Sequence, residues 1–463
     1  MIKLKRRDFL KMTLATAAGM MPVFSLPTGM RSATAATFAG GFKALVCVYL
    51  AGGNDAFNMF IPHSTSEYNA YAAARQHLAV AKDQILPVSP ATYNDGASYG
   101  FHPNMPELHE LFNQGKVATI ANVGALTRPI TKTEYENASI EVPAQLFSHN
   151  DQTDLWMTGH ANGTTGQGWA GRMMDLFYPG AVSAPIPSPN ISIAGNNLWQ
   201  VGNDIRAYEV HPDGVESLYF PWHAGPSTLE QAYKDVYELG LGESSHNKIV
   251  KAHTLIQQSQ MQYSETLKTA LSNAPDFTRP FGTDSLHEQL AMVAKLIAVR
   301  DDLDTNIMRQ VFFVQLDGWD THAAQNANVP SGHPSLLGQL SQSLDIFYAA
   351  LVELGLQNQV STFTASEFGR SLTPNGDGTD HGWGGHSLVM GGAVAGKDIY
   401  GAMPELSITS GDAVENGRII PTTSVDQYGA TLATWFGIEQ SELGTLFPNL
   451  ANFDSPILGF MAT

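Results

Sequence analysis

Short apolar runs rich in β-branched residues alternate along this chain with longer segments whose apolar residues recur every three or four positions. The short runs predict strands buried on both faces, and the longer segments predict amphipathic helices. The predicted strands are residues 43–50, 117–123, 190–194, 311–316, 360–364 and 387–390. The predicted helices are residues 229–239, 246–272, 285–304, 334–354 and 424–436. The alternation predicts an α/β fold with a mostly parallel central sheet flanked by helices, carrying a helical insertion at about residues 225–305.

The first 36 residues have the layout of an export signal. Arg6 and Arg7 are followed by Phe-Leu-Lys, by a weakly apolar run at residues 12–26, and by small residues suited to cleavage at 33–35. This layout predicts a twin-arginine signal, passage through the twin-arginine translocase, and a periplasmic or secreted domain spanning residues 37–463. An ordinary secretory signal is the alternative. No later run of about 18 apolar residues follows, so no stable membrane anchor is expected.

Charge and cysteine content exclude several classes of protein. Residues 1–36 hold six of the 25 basic residues and one of the 43 acidic residues, which leaves the rest with a net charge of −23. Such an acidic surface repels phosphate backbones and anionic lipid headgroups, so no nucleic-acid partner is expected. Cys47 is the single cysteine, which excludes an intramolecular disulfide.

Polar residues stand directly after three of the predicted strands, where ligands collect in an open parallel sheet. They are Asn54 and Asp55, then Asp317, Asp320 and His322, then Glu367 and Arg370, with His381 and His386 in the glycine-rich loop that follows. Carboxylate and imidazole groups together suit zinc, manganese or iron. Each group also has a simpler interpretation, since Asn54 and Asp55 could cap a helix and Glu367 and Arg370 could form an ion pair.

Ser148 precedes a predicted helix, where it could act as a nucleophile or simply cap the helix. Helix N-termini stabilise anions, which would favour a phosphate or sulfate group there. The chain lacks the phosphate-binding loop, the Gly-x-Gly-x-x-Gly turn, the Gly-x-Ser-x-Gly elbow and the His-Glu-x-x-His helix. Enzymes built on those motifs are therefore disfavoured.

At these positions the sequence resembles domain-of-unknown-function family 1501, twin-arginine-exported proteins of the alkaline-phosphatase-like (sulfatase-like) superfamily. The matching segments are residues 50–58, 148–152, 316–322, 366–370, 380–384 and 417–431. The resemblance implies an alkaline-phosphatase-like sandwich and a hydrolase of phosphate or related esters, such as sulfate or phosphonate esters. It also implies one or two divalent ions, with zinc, manganese and calcium as candidates.

The resemblance also implies roles for individual residues. Asp55, Asp320 or Asp317, His322, Glu367 and His381 would hold metal, with His386 as the competitor of His381. Ser148, or less favourably Thr153, would be the nucleophile, and Arg370 and Asn54 would steady the transferred group. The chain departs from the superfamily in two ways, because Phe368 stands where a histidine is usual and the Cys-x-Pro-x-Arg signature of sulfatases is missing.

Taken together, the sequence predicts an exported metal-dependent hydrolase acting on a small-molecule or polymer ester. The alternative is a catalytically degenerate exported protein that keeps the fold and serves in binding or assembly. In a third interpretation, a metal ion would only rigidify the glycine-rich loop at residues 374–385.

Overall fold

Sixteen strands are present in the part of the chain that the computed structural model describes, which comprises residues 41–163, 165–179, 189–215, 254, 263–303 and 307–462. They are β1 (Lys43–Ala51), β2 (Phe60–Pro62), β3 (Leu86–Pro87), β4 (Tyr99–Phe101), β5 (Val117–Gly124), β6 (Asn190–Ser192), β7 (Tyr208–Glu209), β8 (Arg309–Asp317), β9 (Val360–Ala365), β10 (Arg370–Pro374), β11 (Thr379–His381), β12 (Gly385–Met390), β13 (Asp398–Tyr400), β14 (Ala413–Val414), β15 (Arg418–Ile419) and β16 (Thr423–Ser424).

The α-helices in the described part of the chain vary in length from about one turn to about six turns. They are α1 (Ala56–Met59), α2 (Thr65–Arg75), α3 (Pro106–Asn113), α4 (Lys132–Glu136), α5 (His149–Thr158), α6 (Trp169–Phe177), α7 (Ser285–Ala298), α8 (Arg300–Leu303), α9 (His333–Glu353), α10 (Val425–Phe436) and α11 (Gln440–Leu446). Residues 263–271 are also helical.

The central sheet has the strand order β13-β5-β12-β9-β1-β8-β6-β7, with β16 beside β5. β1 runs parallel to both β8 and β9, and β6 runs parallel to β8 and β7. β12 runs antiparallel to its neighbours β5 and β9. The predicted α/β fold with a mostly parallel sheet is therefore confirmed.

Helices cover both faces of the central sheet. Along β1, Val46 and Val48 contact the apolar cluster that α3, α7 and α9 complete. Leu45 and Cys47 contact the opposite cluster, formed with α6, α10 and α11. Because successive side chains of a strand point to opposite faces and both faces are covered, β1 is apolar and buried from Ala44 to Leu50.

The six predicted strands are present, each within about three residues of its predicted ends. The predicted helix at 285–304 is divided into α7 and α8, and those at 334–354 and 424–436 are α9 and α10. α7 was assigned to the insertion, yet it packs directly against β8 and α9. The export signal, the helix at 229–239 and most of the helix at 246–272 lie outside the described residues and stay predictions. Among the described residues, no helix is long and apolar enough to cross a membrane.

The glycine-rich loop at residues 374–385 is more regular than predicted. β10 and β11 form a short antiparallel hairpin in which Arg370 pairs with His381 and Pro374 pairs with Thr379. Gly376 has a φ of +137° in the connecting turn, a conformation that glycine adopts without steric cost. The turn glycines allow the chain to fold back on itself, so part of the predicted loop forms strand β11.

Candidate metal centre

The carboxyl ends of β1, β8 and β9 meet at one edge of the sheet. The register sets Ala51 opposite Asp317 and Tyr49 opposite Ala365, so the residues after each strand are neighbours. α5 and β11 bring two further polar segments to this edge, since His149 contacts Glu367 and His381 contacts Asp320. Five separate segments of the sequence thus contribute to one site.

A close approach between two loops places Asp320 at the site. Gly52 has a φ of +124°, and a Cβ atom there would lie 2.3 Å from the backbone nitrogen of Asp320. Trp319 is fully buried and donates its backbone N–H to the carbonyl of Ala51 at 3.2 Å. Only glycine permits this contact, because any side chain at position 52 would push the β8 loop away.

Three imidazole rings surround the carboxylate of Asp320. The Nε2 atoms of His149, His322 and His381 lie 3.5, 3.1 and 3.4 Å from its oxygens, and those of His322 and His381 are 2.8 Å apart. Ligands of a tetrahedral zinc ion with bonds of about 2.1 Å are separated by about 3.4 Å. The ligand atoms of His149, Asp320 and His381 all lie within 4.8 Å of one another. The group therefore has the composition and spacing of a metal site.

The other ring nitrogen of each histidine faces an oxygen atom. His149 Nδ1 donates to Glu367 Oε1 at 2.9 Å, and His381 Nδ1 donates to the carbonyl of Phe147 at 2.6 Å. His322 Nδ1 lies 3.4 Å from Asp380 Oδ1. In His149 and His381, an Nδ1–H held in this way leaves the Nε2 lone pair free, which is the usual arrangement of metal-binding histidines.

Glu367 contacts the site through a hydrogen bond with His149. Its Oε1 atom accepts from His149 and from the backbone N–H of Gly52 at 2.8 Å, and the side chain is 5% exposed. It was predicted as a metal ligand, but its described contacts make it an outer partner that orients the ring. The sequence cannot separate these roles because both need a carboxylate after β9.

Phe368 packs against the same histidines. Its ring centroid lies 4.7 Å from that of His381, nearly stacked at 27°, and 4.9 Å from that of His149. The residue is 3% exposed. The Phe368 ring therefore packs against both imidazole rings and limits their movement.

Arg370 sets the charge of the site. It is fully buried, and its Nη1 atom donates to Asp320 Oδ1 at 2.7 Å and to the carbonyl of Gly52 at 3.2 Å. Burial raises the pKa of Asp320, but the hydrogen bond and charge of Arg370 outweigh it and hold the pKa below its ordinary value. Burial lowers the pKa of His381. At neutral pH Asp320 is thus anionic and His381 neutral, the states that metal ligands need.

The hydrogen bond to Glu367, followed by the charges of Glu367 and Asp320, raises the pKa of His149 despite burial. Protons and a cation therefore compete for this ring. Acidic conditions should weaken any cation bound here.

Asp55 is fully buried and lies outside the group. Its Oδ2 atom accepts hydrogen bonds from Arg75 Nη2 and Gln325 Nε2. It was predicted as a metal ligand, whereas the structure gives it a guanidinium partner.

Three other predicted residues also lie outside the group. Asp317 is exposed at the end of β8 and accepts from Gln315 Nε2 at 2.8 Å. Asn54 is 2% exposed, and its Oδ1 atom bonds to His333 Nε2 at 3.1 Å. His386 is buried in β12, where its Nδ1 atom accepts the backbone N–H of Asn122 at 3.1 Å. Asp320 and Asp317 were alternative metal ligands, as were His381 and His386. Asp320 and His381 lie in the group, whereas Asp317 and His386 do not.

Ser148 lies immediately before α5, next to His149. Its hydroxyl donates to Asp151 Oδ2 at 2.6 Å and does not cap a backbone N–H of the helix. The alternative nucleophile Thr153 has its hydroxyl 2.8 Å from that of Tyr49. The hydroxyl of Ser148 therefore does not cap α5, which was the simpler role predicted for it.

His149 is the member of the group that the sequence analysis did not select. It stands beside Ser148 in a segment that carries the family resemblance, and it opens a helix pointing at the sheet edge. A histidine at the start of that segment is the signal in the sequence that indicates this position.

Solved structures that resemble the chain share little sequence with it. One is a protein of the alkaline phosphatase superfamily from Vibrio parahaemolyticus, with 9% identity and a TM-score of 0.34, covering 94% of this chain and 76% of that chain. Another is the soluble domain of lipooligosaccharide phosphoethanolamine transferase A from Neisseria meningitidis, with 10% identity and a TM-score of 0.35, covering 92% and 95%. A third is the periplasmic domain of EcEptC from Escherichia coli in complex with Zn, with 10% identity and a TM-score of 0.31, covering 87% and 85%.

No curated protein matches the chain. A family model does match, and it spans residues 42–443, which include every residue of the site. The predicted family is thereby confirmed. The chain belongs to the family described as "Protein of unknown function (DUF1501)".

Proposed function

We propose that this protein is an exported metal-dependent hydrolase of phosphate or related esters. The observation that carries the proposal is the convergence of three Nε2 atoms on the carboxylate of Asp320. Imidazole and carboxylate ligands suit zinc, and also manganese or iron. His149, Asp320, His322 and His381 would hold the ion.

A divalent ion bound here would polarise the ester oxygen and make a water molecule or hydroxyl group more acidic. The residues of the chain supply the remaining functions. Arg370 holds Asp320 in place through a bond of 2.7 Å, and Glu367 and the carbonyl of Phe147 hold His149 and His381. Because the site lies at the edge of the sheet, with Asp320 44% exposed and His322 43% exposed, an ester could approach from solvent.

Ser148 is the proposed nucleophile of this hydrolase. Its hydroxyl lies 2.6 Å from Asp151 Oδ2, within reach for proton transfer to that carboxylate. The residue also precedes α5, whose N-terminus favours anionic groups. A Ser148→Ala variant should keep its metal and lose turnover, and full turnover in this variant would assign the attack to water instead.

Export is the second part of the proposal. The pair Arg6 and Arg7 should direct the folded chain to the twin-arginine translocase. Replacement of both by lysine should retain the protein in the cytoplasm. Normal periplasmic accumulation of this variant would point to a different export route.

The activity is tested with p-nitrophenyl phosphate, bis-p-nitrophenyl phosphate and p-nitrophenyl sulfate, in the presence of zinc, manganese or calcium. Wild-type protein should hydrolyse at least one ester, and chelation should stop the reaction. Asp320→Asn and His381→Ala should abolish it. His211→Ala is the matched control, because His211 is 62% exposed and its described ion pair is with Asp213 alone. Hydrolysis that survives in Asp320→Asn would refute the proposal.

A further inference from the structure

Asp55 is a second acidic position at the same sheet edge, and it has an unusual environment. The resemblance implies that it binds metal, and a two-metal site would need it. In the structure its carboxylate is fully buried and its Oδ2 atom accepts from both Arg75 and Gln325. Its Oδ1 atom is buried and, within the described residues, has no hydrogen-bond partner. Oδ2 therefore accepts two hydrogen bonds, and Oδ1 is buried away from solvent.

The guanidinium group of Arg75 is held on all sides. Its Nε atom donates to Asn58 Oδ1 at 3.1 Å, and Nη1 donates to the carbonyls of Ser371 and Leu372 at 2.8 and 3.3 Å. Nη2 donates to Asp55. Arg75 is the last residue of α2 and is fully buried. A guanidinium stays protonated at any physiological pH, so this is a permanent positive charge in a fixed position.

A divalent ion at Asp55 would have to displace or approach that charge. Separating a buried ion pair leaves an uncompensated charge and is strongly unfavourable. A second cation placed beside the guanidinium would meet like-charge repulsion in a region with little water to screen it. The pair therefore competes directly with metal binding at this position.

The charges around the site also argue against a second metal ion. The ion pairs of the site include four carboxylates and two guanidinium groups. Asp55 pairs with Arg75 and Asp320 with Arg370, whereas Glu367 and Asp380 contact His149 and His322. The charges of these carboxylates and guanidinium groups sum to −2 when the histidines are neutral. One divalent ion makes the site electrically neutral, and a second would leave two uncompensated positive charges.

We propose that the centre holds a single divalent ion and that Arg75 supplies, as a fixed side-chain charge against Asp55, the counter-charge that a second ion would otherwise provide. The inference rests on the proposed metal-dependent function. It makes Arg75 and Asp55 positioning residues, which act by holding the loop after β1 against strand β10. The ion then lies with His149, Asp320, His322 and His381 alone.

Zinc stoichiometry tests this inference without any substrate. Metal-free wild-type protein is titrated with zinc against a chromophoric chelator, and bound zinc per chain is checked by mass spectrometry after gel filtration. The variants are Asp55→Asn, Asp320→Asn and the double variant Asp55→Asn/Arg75→Met. The double variant removes both charges of the pair together, which buried sites tolerate better than the loss of one partner.

We expect one zinc per chain in the wild type, one in Asp55→Asn and in the double variant, and none in Asp320→Asn. Two zinc ions in the wild type, or the loss of an ion in both folded Asp55 variants, would overturn the single-ion inference while leaving the hydrolase proposal intact. An absence of zinc from the wild type would overturn the proposed function, and the inference with it.

Discussion

Glu367 provides the sharpest way to distinguish an outer partner from a metal ligand. Its Oε1 atom accepts both from His149 Nδ1 and from the backbone N–H of Gly52, whereas Oε2 lies 3.2 Å from the hydroxyl of Ser366. A Glu367→Gln side chain can keep its oxygen at the Oε1 position and retain both bonds. The substitution therefore removes the charge behind His149 while leaving the geometry in place.

The size of the effect follows from this geometry. Mutation of an outer partner weakens metal binding by about 10- to 100-fold, or about 1.4–2.7 kcal/mol. Glu367→Gln should lie near tenfold, because the hydrogen bonds to His149 and Gly52 remain. Glu367→Ala should lie near 100-fold, because His149 loses both its orientation and its charged partner. Neither variant should change the number of bound ions.

Zinc affinity is measured by competition with a chromophoric chelator at pH 7.5, and circular dichroism verifies folding. Glu136→Gln serves as the control, since Glu136 is 57% exposed on α4. An unchanged zinc affinity in Glu367→Ala would refute the outer role. Loss of one ion in Glu367→Gln would show instead that Glu367 is itself a ligand, as the sequence alone predicts.

Three further predictions concern packing, backbone and charge. Gly52→Ala should lower turnover by about 100-fold, because the new methyl group would displace Asp320, and this is measured by steady-state kinetics. Phe368→Ala should lower the free energy of unfolding by about 3–5 kcal/mol and weaken zinc binding, as measured by urea unfolding and zinc competition. Burial raises the pKa of Asp426 to about 7, so the native state keeps a proton that the unfolded chain releases near pH 4. Stability should therefore fall as the pH rises from about 4 to 7, and Asp426→Asn should be more stable than wild type at pH 8 by on the order of 2–4 kcal/mol in urea unfolding.

Each of these predictions has its own control or opposing result. Gly214→Ala matches the backbone of Gly52, with a φ of +116°, but no atom lies within 4 Å of the added methyl group. An equal loss of turnover in Gly214→Ala would remove the steric explanation. A Phe368→Ala variant as stable as wild type would contradict the packing role. Identical stability of Asp426→Asn and wild type from pH 4 to 8 would mean that the buried carboxyl is not protonated in the native state.

The strands and the site edge were predictable because they depend on local patterns. β1, β8 and β9 are buried on both faces, and β1 and β8 carry apolar runs at Ala44–Leu50 and Val311–Val314 that are visible in the sequence. Asp320 and His322 follow one such strand, so the parallel order alone brings them to the edge. His381 was found in the same way, from its position in the loop after β9.

The pairing of buried charges was not predictable. Arg75 ends α2 and meets Asp55 where strand β10 supplies two backbone carbonyls around its guanidinium group. No spacing in the sequence encodes that contact. The difference between Glu367 as a ligand and as an outer partner is likewise a matter of a few ångströms, which a pattern of residue types does not determine.

The most direct test of the metal centre is a crystal structure of zinc-loaded protein with data collected at the zinc absorption edge. We expect one anomalous peak about 2.0–2.2 Å from the Nε2 atoms of His149, His322 and His381 and from a carboxylate oxygen of Asp320. We expect no peak at Asp55. A zinc-soaked crystal without a peak among these residues, or with its peak at Asp55, would contradict a single metal centre at Asp320.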